Sequence, residues 1–337
     1  MIRIALDAMG SDAWPTPDVA GAVQALRADA QLKVLLFGDE SRLKAEVDKQ
    51  GGAGLALEII HAPEHIRMGD QAAQSSRAKP DSSIHRASEA VAKGEADAFV
   101  SAGNTGAILS ILTLHTLHRI RGVKRPTLSA ILPLPQVKRR VVLADIGANT
   151  DCKPDWLLQF ALMGALYAQH ALGVAQPKVG LLANGEEEGK GTDLLRETAQ
   201  LLRHSPLHFY GYVEPKEVLR GQVDVMVTDG FTGNIFIKTM EAFGSELVKL
   251  IRAELTAQPL STLGGLLARP AFRRVRKHLD PFEIGGAPLL GVNGVALIAH
   301  GRTNALGIAN ALHQARRAYQ GGVIHAIQEG LAQLGES

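Results

Sequence analysis

The sequence predicts an α/β protein built on a doubly wound, mostly parallel sheet. Three observations carry this reading. Short apolar runs alternate with helical patterns almost from end to end. Several runs are continuous rather than alternating, as parallel strands covered on both faces are. Small and polar residues gather where a run gives way to a helix, and open α/β sheets bind ligands at those points.

In chain order the runs predict strands at 2–6, 33–37, 55–60, 98–101, 127–132, 141–145, 178–182, 208–213 and 224–228. Helical patterns occupy 17–28, 82–93, 106–118, 155–172, 192–202 and 233–255. The first helix is entered through Pro15 and Pro17 around Thr16, a cap followed by a first turn. Residues 127–134 and 139–145 have no helix between them, which suggests an antiparallel insertion. Past Glu254 the composition changes: 258–277 carries leucines, glycines and then a basic cluster. No repeat or low-complexity linker divides the chain, so 1–337 reads as one unit with a projecting segment near 240–280.

Composition bounds the function. The 337 residues are 46% hydrophobic and 21% charged, which excludes a disordered chain. A formal net charge of +2 and 4% aromatics give no sign of a nucleic-acid surface. One cysteine allows neither an internal disulfide nor a cysteine-rich zinc site. Asp7 interrupts the first apolar run before a signal peptide could form. The uncharged stretches 98–118 and 156–177 are broken by polar groups such as Asn104, His115, Gln159 and His170, so they read as buried helices rather than spans. Together these features predict a soluble intracellular enzyme or binding protein.

The polar loops are Asp7-Ala8-Met9-Gly10-Ser11-Asp12, Ser101-Ala102-Gly103-Asn104-Thr105-Gly106, Asp145-Ile146-Gly147-Ala148-Asn149, 184–192 and Asp229-Gly230-Phe231-Thr232-Gly233-Asn234. Each alone reads as an ordinary turn; together they point to a functional cleft. The 101–106 loop suits an anion, because glycines let backbone N–H groups approach and the following helix presents its positive end. It lacks the P-loop pattern, and no strand precedes a G-x-G-x-x-G fingerprint. Lys190 lies between two glycines after Glu186, Glu187 and Glu188. It reads as a solvated turn residue or as a point charge for phosphate, oriented by Glu186 or Glu187. The glutamates also admit a metal reading, with no histidine or aspartate nearby in sequence to complete it. Cys152 reads as a small buried hydrophobe rather than a nucleophile. No G-x-S-x-G elbow is present, and His300 reads as a cap or a site residue.

Taken together these loops resemble the PlsX-type phosphate acyltransferases of bacterial phospholipid synthesis, over nearly the whole chain. The resemblance rests on Ala5-Leu6-Asp7-Ala8-Met9-Gly10, 101–107, 145–149 with Asp151-Cys152-Lys153-Pro154, 184–191, 229–234, Gly285-Gly286-Ala287-Pro288-Leu289-Leu290-Gly291 and His300-Gly301. Ser11 departs from it, since a glycine is expected before Asp12. So does Gly185, where the family usually has isoleucine before Gly-Glu-Glu.

The resemblance implies a Rossmann-like α/β/α sandwich of the isopropylmalate-dehydrogenase-like type. It also implies a homodimer, and reversible transfer of an acyl group from acyl-acyl-carrier-protein to inorganic phosphate. The acyl phosphate would serve a membrane glycerol-3-phosphate acyltransferase. Such chemistry needs no cofactor, metal or triad, because phosphate dianion is itself a nucleophile and a thiol is a tolerable leaving group. It does need positioning and oxyanion donors. Ser101, Gly103, Asn104, Thr105, Gly106 and Lys190 are the phosphate candidates. Asn149, Asn184, Thr232 and Asn234 are orienting or substrate-binding candidates, and His300 is a proton donor to the departing thiol. The basic stretches 119–125 and 138–140 suit an acidic carrier protein. Two competing readings are a dehydrogenase of the same fold and a non-enzymatic adaptor at the membrane surface.

The 258–277 segment supplies a membrane contact, with Leu260, Leu263, Leu266, Leu267 and Phe272 followed by Arg269, Arg273, Arg274, Arg276 and Lys277. Burial of its leucines in a dimer partner is the alternative. Pro259, Gly264, Gly265 and Pro270 argue against one continuous helix there and for a helix ending in a leucine-rich tip. The expected location is the cytoplasm, peripherally on the inner face of the cell membrane.

Overall fold

A computed structural model describes the backbone of residues 1–336, and every side chain in that span except those of 276–279, 281, 335 and 336. The first block runs β1 (Ile2–Asp7), α1 (Thr16–Ala28), β2 (Leu32–Gly38), α2 (Glu40–Lys49), β3 (Leu57–His61), α3 (Ala72–Ala78), α4 (Ser83–Ala92), β4 (Ala98–Ser101) and α5 (Thr105–Leu114). Next come β5 (Thr127–Leu134), β6 (Arg139–Ala144), α6 (Pro154–Leu172), β7 (Lys178–Leu182), α7 (Asp193–Arg203), β8 (His208–Val213), α8 (Pro215–Leu219) and β9 (Val225–Val227). The chain ends with α9 (Gly230–Thr256), α10 (Pro259–Leu279), β10 (Ala287–Leu290), β11 (Val295–Ile298), α11 (Ala305–Gln320) and α12 (Val323–Glu336).

The strands form one 11-stranded sheet in the order β3-β2-β1-β4-β11-β10-β5-β6-β9-β7-β8. Two blocks are internally parallel, β3-β2-β1-β4-β11 and β6-β9-β7-β8. Between them β10 pairs antiparallel with β11 and β5, and β5 antiparallel with β10 and β6. The short link from β5 to β6 permits only this pairing, because a parallel crossover needs a dozen or more residues. The antiparallel pairing expected for this pair is present, and β5 and β6 lie inside the sheet between β10 and β9. The alternation also reverses direction, so the two parallel blocks point their carboxyl ends opposite ways. The polar loops therefore form two clusters instead of lining one edge.

Period-two alternation divides the strand side chains between two faces. Ile4, Leu6, Val100, Val142 and Val227 join α1, α6, α7, α11 and α12 in the larger core. On the other face Ala5, Phe99 and Leu289 pack with α4 and α5. Val141, Leu143 and Met226 meet Val218 of α8 and Phe236 and Ile237 of α9 on that same face. The loops after β6 and β9 lie between these two smaller clusters, with Ile146 packed against both.

The projecting segment differs from its expectation, since 259–279 is helical throughout. Pro259 opens the helix, where a missing N–H costs nothing. Gly264 faces open space, and a side chain at Gly265 would meet Leu255 of α9 at ordinary contact distance. Pro270 removes one N–H from an exposed helix, where water can serve the freed carbonyl. The leucines still cluster at a tip, immediately after α9 turns back at 257–258. Leu260 and Leu267 are 80% and 78% exposed, and Leu263, Leu266, Arg273 and Arg274 are also exposed. The expected basic side chains of Arg276 and Lys277 lie outside the described residues.

Candidate active site

Asp7, Ser101 and Ile298 end three adjacent parallel strands in register. Asp7 and Ser101 are completely buried. The Ser101 hydroxyl donates to Asp7 Oδ2 at 2.6 Å and accepts the Gly103 N–H at 3.0 Å. The other carboxylate oxygen accepts the Met9 N–H at 3.1 Å. One carboxylate thereby ties the loop after β1 to the loop after β4. The loops press so closely that a Cβ on Gly10 would lie 2.6 Å from Asp7 Oδ2 and 2.7 Å from the Gly103 nitrogen. Burial raises the pKa of Asp7, opposed by the hydrogen bonds from Ser101 and Ser83.

Ser11, the departure from the family pattern, is buried with its hydroxyl 2.5 Å from Asp18 Oδ2. Asp18 Oδ1 is buried without a hydrogen-bond partner. Burial and the neighbouring Asp7 push its pKa up to about 8, so Asp18 is a neutral acid at pH 7.

The outer part of the 101–106 loop is organised around Asn104. Its Oδ1 accepts the Ala107 N–H at 3.0 Å, capping α5, while Nδ2 donates to the carbonyls of Met68 at 2.9 Å and Asp70 at 3.1 Å. Ser101, Gly103 and Asn104 are thus engaged in building the loop. Thr105 and Gly106 lie exposed in the first turn of α5, whose leading N–H groups have no intrahelical partner. They are the part of the loop that can meet an anion.

His300 adjoins this cluster, since the Ala299 N–H donates to the Ser101 carbonyl at 2.8 Å and the Asp12 N–H to that of Gly301 at 2.9 Å. His300 Nδ1 accepts the Arg302 N–H at 3.1 Å, so the neutral ring carries its proton on Nε2. Partial burial, with Arg302 and Lys238 nearby, holds its pKa below the usual histidine value. His300 therefore offers a neutral N–H donor, not an imidazolium, near pH 7.

The second cluster is built on buried Asp145. Its Oδ1 accepts the N–H groups of Gly147 and Ala148, both at 3.0 Å, and Oδ2 accepts the backbone and side-chain N–H groups of Asn149. Asn149 also donates to the Pro126 carbonyl at 2.8 Å. Helix α9 starts directly on this loop. Gly230 donates to the Asn149 carbonyl at 2.7 Å, and a Cβ on Gly233 would lie only 1.8 Å from the Asp145 carbonyl oxygen. Asn234 Nδ2 donates to the Ile146 carbonyl at 3.1 Å. Thr232 donates its N–H and hydroxyl to Asp229, the cap of α9. One turn beyond Asn234, the Lys238 charge lowers the pKa of His300 and that of Glu241 opposes it, so α9 passes within electrostatic range of the first cluster.

Asn184 and Lys190 are exposed, and among the described residues no side-chain hydrogen bond or ion pair joins them to either cluster. Lys190 lies with its stem over Gly185. Glu186 does not orient it, because Lys216 takes Glu186 at 2.9 Å and Glu214 at 3.1 Å. Glu186, Glu214 and Glu217 do converge closely enough to ligate a cation, and Lys216 stands in their midst as one. The half-buried Cys152 donates to the Asn149 carbonyl at 3.4 Å. Burial and Asp145 push its pKa up to about 12, which leaves almost no thiolate at neutral pH.

Sequence reasoning overlooked Asp7, Asp18 and Asp145 as site residues, although each carboxylate organises one of the polar loops. Asp7 and Asp145 carried the available signal, an acid closing an apolar run just before small residues.

The two-block sheet is the fold of solved phosphotransacylases. A branched-chain phosphotransacylase from Enterococcus faecalis superposes with a TM-score of 0.62 at 16% identity, covering 95% of this chain and 99% of that one. The EutD phosphotransacetylase from Staphylococcus aureus gives 0.62 at 15%, covering 94% of each. A putative 4-hydroxythreonine-4-phosphate dehydrogenase from Salmonella typhimurium gives 0.54 at 13%, covering 94% and 99%, so the fold alone is common to acyltransferases and dehydrogenases.

Sequence relatives separate the two. The phosphate acyltransferase of Anaeromyxobacter sp. is 46% identical over 98% of this chain and 90% of its own length. That of Geobacter sulfurreducens is 43% identical over 97% and 94%. The family model described as fatty acid synthesis protein matches residues 2–326. The protein is thus an acyltransferase by class, and the chain belongs to this fatty acid synthesis family, with phosphate acyltransferases as its relatives.

Proposed function

We propose that the protein transfers a fatty acyl group from acyl-acyl-carrier-protein to inorganic phosphate, reversibly, releasing acyl phosphate and the carrier thiol. The observation that carries this reading is the near-full-length identity to phosphate acyltransferases. Phosphate loses its second proton at about pH 6–7, by analogy with phosphate esters, so the dianion attacks the thioester carbon without a base. The C–O bond to phosphate forms as the C–S bond breaks, and the leaving thiolate takes its proton from solvent. Neutral His300 does not protonate it and serves instead as an Nε2–H hydrogen-bond donor to the developing charge. The exposed first turn of α5 and the exposed Lys190 ammonium suit the phosphate, and Asn149, Thr232 and Asn234 flank the start of α9 for substrate. Cys152 takes no covalent part, consistent with its raised pKa.

The carrier protein docks by charge on 119–125, whose exposed Arg119, Arg121, Lys124 and Arg125 lie beside the Asn149 loop through Pro126. The protein works as a homodimer, supported by the exposed Phe243, Leu247 and Leu250 of α9. It works peripherally at the inner, anionic membrane face and hands acyl phosphate to a membrane glycerol-3-phosphate acyltransferase. No described helix is long and apolar enough to cross a membrane.

The test is phosphate-dependent release of carrier thiol, with acyl-carrier-protein compared against acyl-coenzyme A as donor, in EDTA. Acyl phosphate should form from the carrier thioester. No phosphate-dependent release, or a strict requirement for a divalent ion or nicotinamide, would defeat the reading.

A further inference from the structure

Two contiguous cavities lie away from both loop clusters, beside the carboxyl end of α6. One, of about 180 Å³, is lined by Ile131, Pro133, Arg140, Leu172, Gln314 and Arg317, with Glu283 and Ile284. The other, of about 530 Å³, shares Pro133, Arg140 and Leu172 and adds Lys138, Arg139 and Val174. The larger volume falls within the roughly 300–1,000 Å³ typical of small-molecule sites. The walls are largely aliphatic, and the charged lining is four cations, Lys138, Arg139, Arg140 and Arg317, against the carboxylates of Glu283 and Asp224.

The cations differ in how they are partnered. Arg139 reaches Asp224 at 3.6 Å and donates to the Gly221 carbonyl at 3.0 Å. Among the described residues neither the Arg140 nor the Arg317 side chain has an ion pair or a hydrogen bond, yet both line the smaller cavity. Burial and Arg140 hold the Arg317 guanidinium below its ordinary pKa. Arg140 and Arg317 are nonetheless both solvent-exposed on the wall of one cavity. Two like charges there repel each other, and an anion between them would relieve that repulsion. Helix α11 carries Gln314 and Arg317 and starts just after His300. Arg317 is 12 residues past its first residue, or roughly 18 Å along the axis at 1.5 Å per residue.

We infer that this cavity is a second ligand site, separate from the catalytic loops, for an amphiphilic anion with a phosphate or carboxylate head between Arg140 and Arg317 and an aliphatic body against Pro133, Leu172 and Val174. The head supplies charge-assisted bonds that neither arginine makes to another described residue, and the body covers apolar wall that water now meets. Arginine is suited to this because its planar fork matches both head groups.

Decyl phosphate and decanoate are the probes, with inorganic phosphate and a neutral decyl glycoside as comparators. Hydrogen–deuterium exchange locates binding and calorimetry measures it. The expected result is slowed exchange at 131–140 and 281–286 with either anion. Arg140→Gln or Arg317→Gln should weaken that binding about tenfold, and the double variant about a hundredfold. The variants should melt no lower than the parent, because they remove a repulsion. Equal protection by the neutral glycoside, equal protection by inorganic phosphate at the same concentration, or unchanged affinity in the folded double variant would each overturn the inference.

Discussion

The Asp7 carboxylate and the Ser101 hydroxyl, 94 residues apart in the chain, meet at 2.6 Å at the ends of neighbouring strands. This bond joins the loop after β1 to the loop that starts α5. Ser101→Ala would strand one buried Asp7 oxygen and the Gly103 N–H together. The expected cost is about 1–3 kcal/mol of stability, with a KM for phosphate raised more than the kcat is lowered. Urea titration and steady-state kinetics check this; an unchanged KM in a destabilised variant would make the bond purely structural.

Asp18 should make stability fall as pH rises. Its folded pKa of about 8 lies above the ordinary 3.8, so between these values the native state keeps a proton that the unfolded chain releases. The stabilisation from this group is complete below about pH 4 and is lost as pH climbs through 8, at up to about 1.4 kcal/mol per pH unit. Asp18→Asn removes the ionisation. The stability difference between parent and variant should therefore shift steadily in the variant's favour from pH 5 to pH 8 in urea unfolding. A difference independent of pH would mean that Asp18 ionises normally.

Helix α9 offers a paired test of the second cluster. Gly233→Ala places a methyl 1.8 Å from the Asp145 carbonyl oxygen, while nothing lies within 4 Å of a methyl on Gly244. Gly233→Ala should displace the helix start, cost several kcal/mol and abolish activity. Gly244→Ala should instead raise stability by about 0.5–1 kcal/mol through helix propensity alone. Thermal melts of both variants decide it.

These contrasts mark what the sequence could reveal. Strands 98–101, 178–182 and 208–213 were legible to the residue because each is a compact apolar run. Strands β10 and β11 were missed, being only 4 residues each and set among glycines. Helix α2 was missed because its surface position leaves few apolar residues to mark a period. The reversal of the sheet at β10 and β5 has no local signature beyond the short link after Leu134, so the split of the polar loops into two clusters could not be anticipated. Motif residues located the loops well. The neutral tautomer of His300 and the pairing of Glu186 with Lys216 come from tertiary neighbours distant in sequence.

Lys190 and Cys152 separate direct phosphate attack from an acyl-enzyme. If the exposed ammonium holds phosphate, Lys190→Ala should lower kcat/KM for phosphate roughly ten- to hundredfold, the loss of a charge-assisted contact. Cys152→Ser should retain most activity, since the thiol is nearly always protonated. Mass spectrometry of a quenched reaction should find no acyl adduct on Cys152. An adduct there, or a folded and inactive serine variant, would reverse the assignment.

The leucine tip bears on the proposed membrane contact of a protein with no described membrane-crossing helix. Leu260, Leu263, Leu266 and Leu267 project from the first two turns of α10 with more than half of each residue exposed, and Arg273 and Arg274 follow within two further turns. Such an arrangement lets apolar side chains enter the interface while cations meet anionic headgroups, at about 1 kcal/mol per cation. Binding should therefore be reversible, should favour anionic vesicles and should weaken as salt screens the arginines. The competing explanation buries the same leucines against a second copy of the chain. Leu263→Glu/Leu267→Glu distinguishes them when flotation and oligomeric state are measured on the same samples. Lost flotation with an intact dimer and intact turnover identifies the tip as a membrane contact. A variant that floats like the parent, or one that dissociates into monomers, overturns the membrane reading of the tip and leaves the leucines to the dimer interface.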